Sequence, residues 1–216
     1  MAETTKQDAG AAGPGVAQLR RSPAQGLAQD MTAGSTAQVA LREVPFAVMT
    51  ALRAEPGSAA ARRVEEALGC PLPTAAGEVT SAGERHVLWI APDEFLTWSP
   101  DGTLDPVAAG EELADRVGTD RGQAVDVSSN RTTLELSGPW AASVLAKSCT
   151  MDLHTSAWPA GRAFATTVGR VPAVVWRVEE DTFRVLPRSS FAEHLVRWLL
   201  DGMQEFSDPA ARPLWR

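Results

Sequence analysis

Between Leu41 and Gly202 the chain alternates short apolar-polar runs with stretches whose apolar residues return every three or four positions, and turn residues separate the two kinds. The run Val44-Pro45-Phe46-Ala47-Val48-Met49-Thr50-Ala51-Leu52 predicts one strand with its proline near the start, where a missing amide hydrogen does least harm. Ser58 then caps a helix striped by Val64, Ala67 and Leu68, with Gly69 at the left-handed exit and Pro71 just beyond. Strands over 86–90 and 95–98, divided by Pro92-Asp93-Glu94, predict a hairpin. Asp105-Pro106 opens a second helix with Val107, Gly110, Ala114 and Val117 on one face and Gly118 as its stop. A strand over 124–128 completes a β-α-β-β-α-β order.

The second half varies the theme. A strand over 132–136 leads into a helix from Pro139 that turns Trp140, Val144 and Leu145 inward. A connection over 150–162, thick with turn residues, precedes strands over 164–168, 173–178 and 182–186, the last two joined by Glu179-Glu180-Asp181. Ser190 and Glu193 have capping-box spacing, and the helix they open places Phe191, Leu195, Trp198 and Leu199 on one face and ends at Gly202. The fold class expected is α+β: two small α/β sandwich (ferredoxin-like) subdomains with antiparallel sheets, at 39–122 and 123–205. Residues 1–38 hold no aromatic residue and no sustained period, so they are expected to be a disordered arm, with 206–216 a tail. Gly13-Pro14-Gly15 lacks the strand, third glycine and Lys-Ser pair of a phosphate loop.

Charge narrows the function classes. The net charge is −7, and the imbalance lies in residues 39–118, which carry thirteen acids against six basic residues. No basic patch suited to nucleic acid is visible. An apolar run long enough to span a membrane is missing, as is a signal-peptide pattern, so no membrane is expected and the cytoplasm is the default location. Cys70 and Cys149 stand far apart without metal-site spacing and are read as small buried residues.

The candidate chemistry is thin. His86, His154 and His194 fall in a strand, a loop and a helix, with no pair at metal-ligand spacing, and no nucleophile elbow, His-Glu-x-x-His helix, Walker loop or dinucleotide fingerprint occurs. Glu179-Glu180-Asp181 and Glu111-Glu112 read as solvated acids. Asp126 with Ser128 reads as a turn-holding pair, with Arg131 or solvent as its simplest charge partner. Of seven tryptophans, Trp89, Trp98, Trp140, Trp176 and Trp198 fall in elements and are expected to fill the core. Trp158, in the long loop, and Trp215, in the tail, are better candidates for contact with another chain.

The order from Ala124-Val125-Asp126-Val127-Ser128 through Leu134-Glu135-Leu136-Ser137-Gly138-Pro139 to Lys147-Ser148-Cys149 resembles the folate-binding core of the glycine-cleavage T-protein group. Within it, Ala91-Pro92-Asp93-Glu94-Phe95-Leu96, the run from Arg131 to Pro139, Cys149 with Asp152-Leu153-His154, and Arg188-Ser189-Ser190-Phe191-Ala192 most resemble the sarcosine oxidase gamma subunit family. T-protein relatives place an acid pair in the hairpin after the long connection. This chain reads Val168-Gly169-Arg170-Val171 there, without a carboxylate. The resemblance therefore implies a chain with no catalytic residue, no cofactor site and no metal site of its own, and an interface that includes Trp158, Arg188 and Trp215. It also implies alpha, beta and delta partners, with FAD, covalent FMN, NAD and zinc in those other subunits. The implied activity is oxidative demethylation of sarcosine to glycine with tetrahydrofolate and oxygen, giving 5,10-methylenetetrahydrofolate and hydrogen peroxide. The alternative is a free-standing folate-binding protein or aminomethyltransferase whose catalytic acid has moved elsewhere.

Overall fold

Two antiparallel five-stranded sheets stack face to face, and helices cover the outer face of each, in a computed structural model that describes residues 19–206. The chain forms α1 (Ala28–Gly34), β1 (Ala40–Val44), β2 (Val48–Ala54), α2 (Ala59–Leu68), β3 (Val79–Ala82), β4 (Arg85–Ala91), β5 (Glu94–Ser99) and α3 (Pro106–Val117). It continues with β6 (Gly122–Asp126), β7 (Thr133–Ser137), α4 (Ala141–Ala146), β8 (Arg162–Val168), β9 (Val171–Glu179), β10 (Thr182–Pro187) and α5 (Ala192–Met203). The first sheet has the order β3-β4-β5-β2-β6 and the second β1-β7-β10-β9-β8.

Period-2 patterning assigns each strand's side chains to a layer. In the first sheet Leu52, Val87 and Phe95 point outward to Val64 and Leu68 of α2 and Leu113 and Val117 of α3. Their neighbours Met49, Leu88, Leu96 and Trp98 point inward and meet Ala163, Val174, Trp176 and Leu186 of the second sheet. The far face of that sheet, with Leu134, Leu136, Val175, Phe183 and Val185, packs under α1, α4 and α5. The α+β class with antiparallel sheets is thus observed.

Local chemistry explains the helix ends. The Ser58 hydroxyl accepts from Ala61 N, Gly69 adopts φ 75° as a left-handed cap, and the Asp105 carboxylate accepts from Ala108 N with Pro106 opening α3. In α5 the expected capping box does not form; no side chain caps it, and its buried face is Ala192, Leu195, Val196, Leu199 and Met203. Phe191 and Trp198 are exposed, 41% and 42%, as is Val107 of α3 at 58%. Gly202 lies inside α5 instead of ending it, because its bare Cα lets Val144 of α4 approach.

The sheets do not respect a boundary at 122/123. The predicted strand over 44–52 is two strands, broken at Phe46, whose φ of 59° turns the chain from the second sheet into the first. As a result β1 pairs with β7 (Leu41 opposite Leu136), while β6 pairs with β2 (Val125 opposite Ala51). Residues 19–38 are not a disordered arm either. Ala24, Leu27 and Met31 are buried against the second sheet, and Glu43 of β1 accepts from Ala24 N at 3.1 Å and from the Ser22 hydroxyl at 2.5 Å. A seven-residue helix is unstable alone, so α1 forms by burying these side chains, each contributing about 1.5–3 kcal/mol if large. Gly13-Pro14-Gly15, the rest of the expected arm, and the tail from Ser207 lie outside the described residues.

Candidate functional site

The layer between the sheets carries a charged cluster on an aromatic floor. Register sets Glu135 of β7 opposite Arg42 of β1 and Arg184 of β10. The Glu135 carboxylate, on a residue 8% exposed, accepts from Arg42 Nε at 2.9 Å and Arg184 Nε at 3.1 Å. The Arg184 guanidinium lies 4.3 Å from the Trp98 ring centre and 5.1 Å from that of Trp176. Trp98 Nε1 donates to the Thr133 hydroxyl at 3.0 Å. The His86 ring stands 4.7 Å from Trp176, and burial, followed by the Arg184 charge, lowers its pKa below the ordinary 6.5. The Trp98–Thr133 bond and the Arg184–Trp98 contact tie one sheet to the other, and Nδ1 of His86 lies 2.8 Å from the exposed Ser81 hydroxyl.

A cavity of about 450 Å³ opens beside α4, lined among others by Cys149, Asp152, His154, Arg177 and Asp181. Several of its polar groups are already bonded to neighbouring residues. Asp152 Oδ1 accepts from His154 N at 2.8 Å, His154 Nδ1 bonds the Ser156 hydroxyl at 2.7 Å, and Cys149 Sγ is 3.9 Å from the Thr166 hydroxyl. Arg177, 2% exposed, donates to the carbonyls of Leu153, Trp158 and Glu180 at 3.1, 2.7 and 2.9 Å. Burial pushes its pKa down, against the pull of Asp181 and Glu180. Such an arrangement pins the 150–161 loop to the β9–β10 turn. No group of three or more His, Cys, Asp or Glu that could hold a metal occurs among the described residues.

A separate cleft of about 320 Å³ lies over Ala51, Ile90, Leu96 and Val127, with Arg53 and Glu94 also among its lining. Its rim holds Arg131 and Arg188, whose backbones form an isolated antiparallel bridge. Arg131 donates to the Leu186 carbonyl at 2.9 Å, and its pKa is lowered by burial and then by the Arg188 charge. No ion pair to either arginine occurs among the described residues.

The expected site residues meet different fates. Asp126 and Ser128 form the predicted turn, with Asp126 Oδ1 accepting from Ser128 N at 2.9 Å and from its hydroxyl at 2.6 Å. Arg131 does not join them, because it turns to Leu186. Trp158 is not available to a partner: it is 1% exposed, packs edge-on against Phe164 and donates to the Arg162 carbonyl. Arg188 is exposed, and Trp215 lies outside the described residues. The 168–171 hairpin turns through Gly169 at φ 58° and Arg170 at φ 65°, under the Trp198 ring, and supplies no carboxylate. Both cysteines are buried, and burial raises the Cys70 thiol above its ordinary pKa. Arg177 was missed, although a lone arginine within Val174-Val175-Trp176-Arg177-Val178 is itself a signal of a buried, fully bonded charge.

No helix among the described residues is long and apolar enough to cross a membrane. Comparison with known proteins places this geometry. Residues 51–205 match the sarcosine oxidase, gamma subunit family. The chain is similar to the sarcosine oxidase subunit gamma of an Arthrobacter species, at 49% identity over 88% of this chain and 93% of that one. It is also 44% identical to that of Corynebacterium sp. strain U-96 over 88% of this chain and 93% of that one. Among solved structures, a chain of the heterotetrameric sarcosine oxidase from Corynebacterium sp. U-96, in complex with pyrrole 2-carboxylate, superposes with a TM-score of 0.83 at 43% identity, over 90% of this chain and all of that one. The glycine cleavage system aminomethyltransferase T of Bartonella henselae superposes with a TM-score of 0.56 at 19% identity, over 79% of this chain and 48% of that one, a likeness of fold alone. By the extent of the family match and these identities, the chain belongs to the sarcosine oxidase gamma subunit family.

Proposed function

We propose that this chain is the gamma subunit of a heterotetrameric sarcosine oxidase and acts in it as a non-catalytic support. The observation that carries the reading is full-length similarity: a chain of the Corynebacterium heterotetramer is covered completely at 43% identity. Its partners are the alpha, beta and delta subunits, which hold FAD, covalent FMN, NAD and zinc. The complex oxidises sarcosine to glycine with tetrahydrofolate and oxygen, yielding 5,10-methylenetetrahydrofolate and hydrogen peroxide, in the cytoplasm.

The side chains supply rigidity. Within the second sheet Glu135 ties β7 to β1 and β10 through two arginines, Trp98 of the first sheet bonds Thr133 and carries the Arg184 guanidinium, and the long loop is locked by Arg177. A support of that kind holds neighbouring subunits in fixed relation, so that a reactive one-carbon intermediate passes between their sites without meeting water. The hairpin at 168–171 offers a folate amine no carboxylate, which supports assigning folate chemistry to another chain. Assays of the isolated chain and of the four-subunit complex test this. The complex is expected to show flavin absorbance and sarcosine-dependent peroxide formation, and the isolated chain neither. Aminomethyl transfer to tetrahydrofolate by the isolated chain would overturn the support role.

A further inference from the structure

The inner face of the first sheet is covered by the second only in part, and the uncovered part can be followed along one row. Leu88, Leu96, Ala51 and Val125 stand side by side on adjacent strands β4, β5, β2 and β6. Leu88 is fully buried and Leu96 is 4% exposed, Ala51 is half-buried, and Val125 is 48% exposed at the edge strand. The outer end of the row is therefore an apolar shelf that nothing in this chain's described residues covers. Beside that row a cleft lined by Ala51, Ile90, Leu96 and Val127 also holds Arg131 and Arg188, set directly opposite each other by their bridge. Like charges in that relation repel, and neither arginine has an ion pair among the described residues; the acid that also lines the cleft, Glu94, is paired with Arg53 at 3.2 Å. Two forked guanidinium groups over an apolar floor match a carboxylate that arrives attached to apolar chain, because the fork pairs with both carboxylate oxygens and the floor removes the competing water.

We infer that the cleft lined by Ala51, Leu96, Val127, Arg131 and Arg188 is a docking site for a segment of a partner subunit, held by an aspartate or glutamate side chain between the two arginines with an apolar neighbour on the floor formed by Ala51, Ile90, Leu96 and Val127. The inference rests on the subunit reading above. Arg131 is tied back to Leu186, so Arg188, exposed and with no side-chain hydrogen bond or ion pair among the described residues, is the residue to change.

The four-subunit complex is assembled with the full chain carrying Arg188→Glu or Arg188→Lys. The glutamate variant is expected to keep the melting temperature of the unsubstituted chain and to raise the dissociation constant for the remaining subunits by about 30-fold or more. Binding of the unsubstituted chain should weaken as salt rises, with a shallower slope for that variant. Arg188→Lys introduces an amine that a carbodiimide couples to an adjacent carboxylate, and mass spectrometry is expected to find the cross-link to an acid of a partner subunit. Assembly of Arg188→Glu at unchanged affinity, or a cross-link only to a second copy of this chain, would overturn the inference while leaving the subunit reading intact. Small dicarboxylates that stabilise the isolated chain through Arg188 without any effect of the substitution on assembly would overturn it too. Failure of the unsubstituted chain to assemble would overturn both.

Discussion

Arg177→Met would leave the carbonyls of Leu153, Trp158 and Glu180 without their donor, the first two on buried residues. Each such loss costs about 1–3 kcal/mol, so a destabilisation of about 3–5 kcal/mol is expected in urea unfolding. A change under 1 kcal/mol would mean that the loop holds without its arginine. His86 adds a pH dependence. Its folded pKa lies below 6.5, so between the two values the unfolded chain binds more protons than the folded one. Its contribution to stability is full above 6.5 and falls as the pH drops through that window. Unfolding free energy measured from pH 8 to 5 should show this fall, and His86→Gln should flatten it. At this scale the sequence was most legible where partners are neighbours, as at Asp126 and Ser128. It was least legible where a side chain reaches across the fold: Arg131 bonds a carbonyl 55 positions away, and Trp158 enters a core that its own loop does not announce.

Elements were legible wherever caps and periods are local. α2 and α3 start and stop where Ser58, Gly69, Asp105 and Pro106 put them, and the β4–β5 hairpin follows its turn residues. The break inside 44–52 was not, because an apolar run reads the same whether it serves one sheet or crosses between two, and only the φ of Phe46 separates the cases. In α5, Trp198 has the right spacing from Leu195 but sits on the rim of the buried stripe, where it lies over Gly169 and donates to the Ser148 hydroxyl at 3.0 Å. β3 is four residues long and escaped notice. The loop before it covers the edge of β8: Gly77 accepts from Ala163 N at 3.0 Å, and Ala76 accepts from Arg162 at 2.9 Å. Gly77 has φ 78° and lies against the Phe164 ring. Gly77→Ala therefore forces both a left-handed alanine and a clash, for an expected loss of about 2 kcal/mol or more by thermal melting. An unchanged melting temperature would show that the loop does not bind the β8 edge in solution.

On the scale of the whole molecule, the α-β-β-α stack is built by a chain that changes sheets twice, at Phe46 and after β6, so the two sheets cannot be separated into independent halves. The sequence revealed the family from ordered motifs, and the absence of an acid at 168–171 pointed away from an aminomethyltransferase. It could not reveal the docking face, since that face gathers residues as far apart as Ala51, Ile90, Leu96, Val127 and Arg188. The central claim is that this chain works as one subunit among four. Native mass spectrometry of the assembly purified through this chain from its own cell tests it most directly. The expected product is a flavin-coloured complex containing one copy of the 22.9 kDa chain with three different partners. Recovery of the chain alone, colourless and at 22.9 kDa, would contradict the claim.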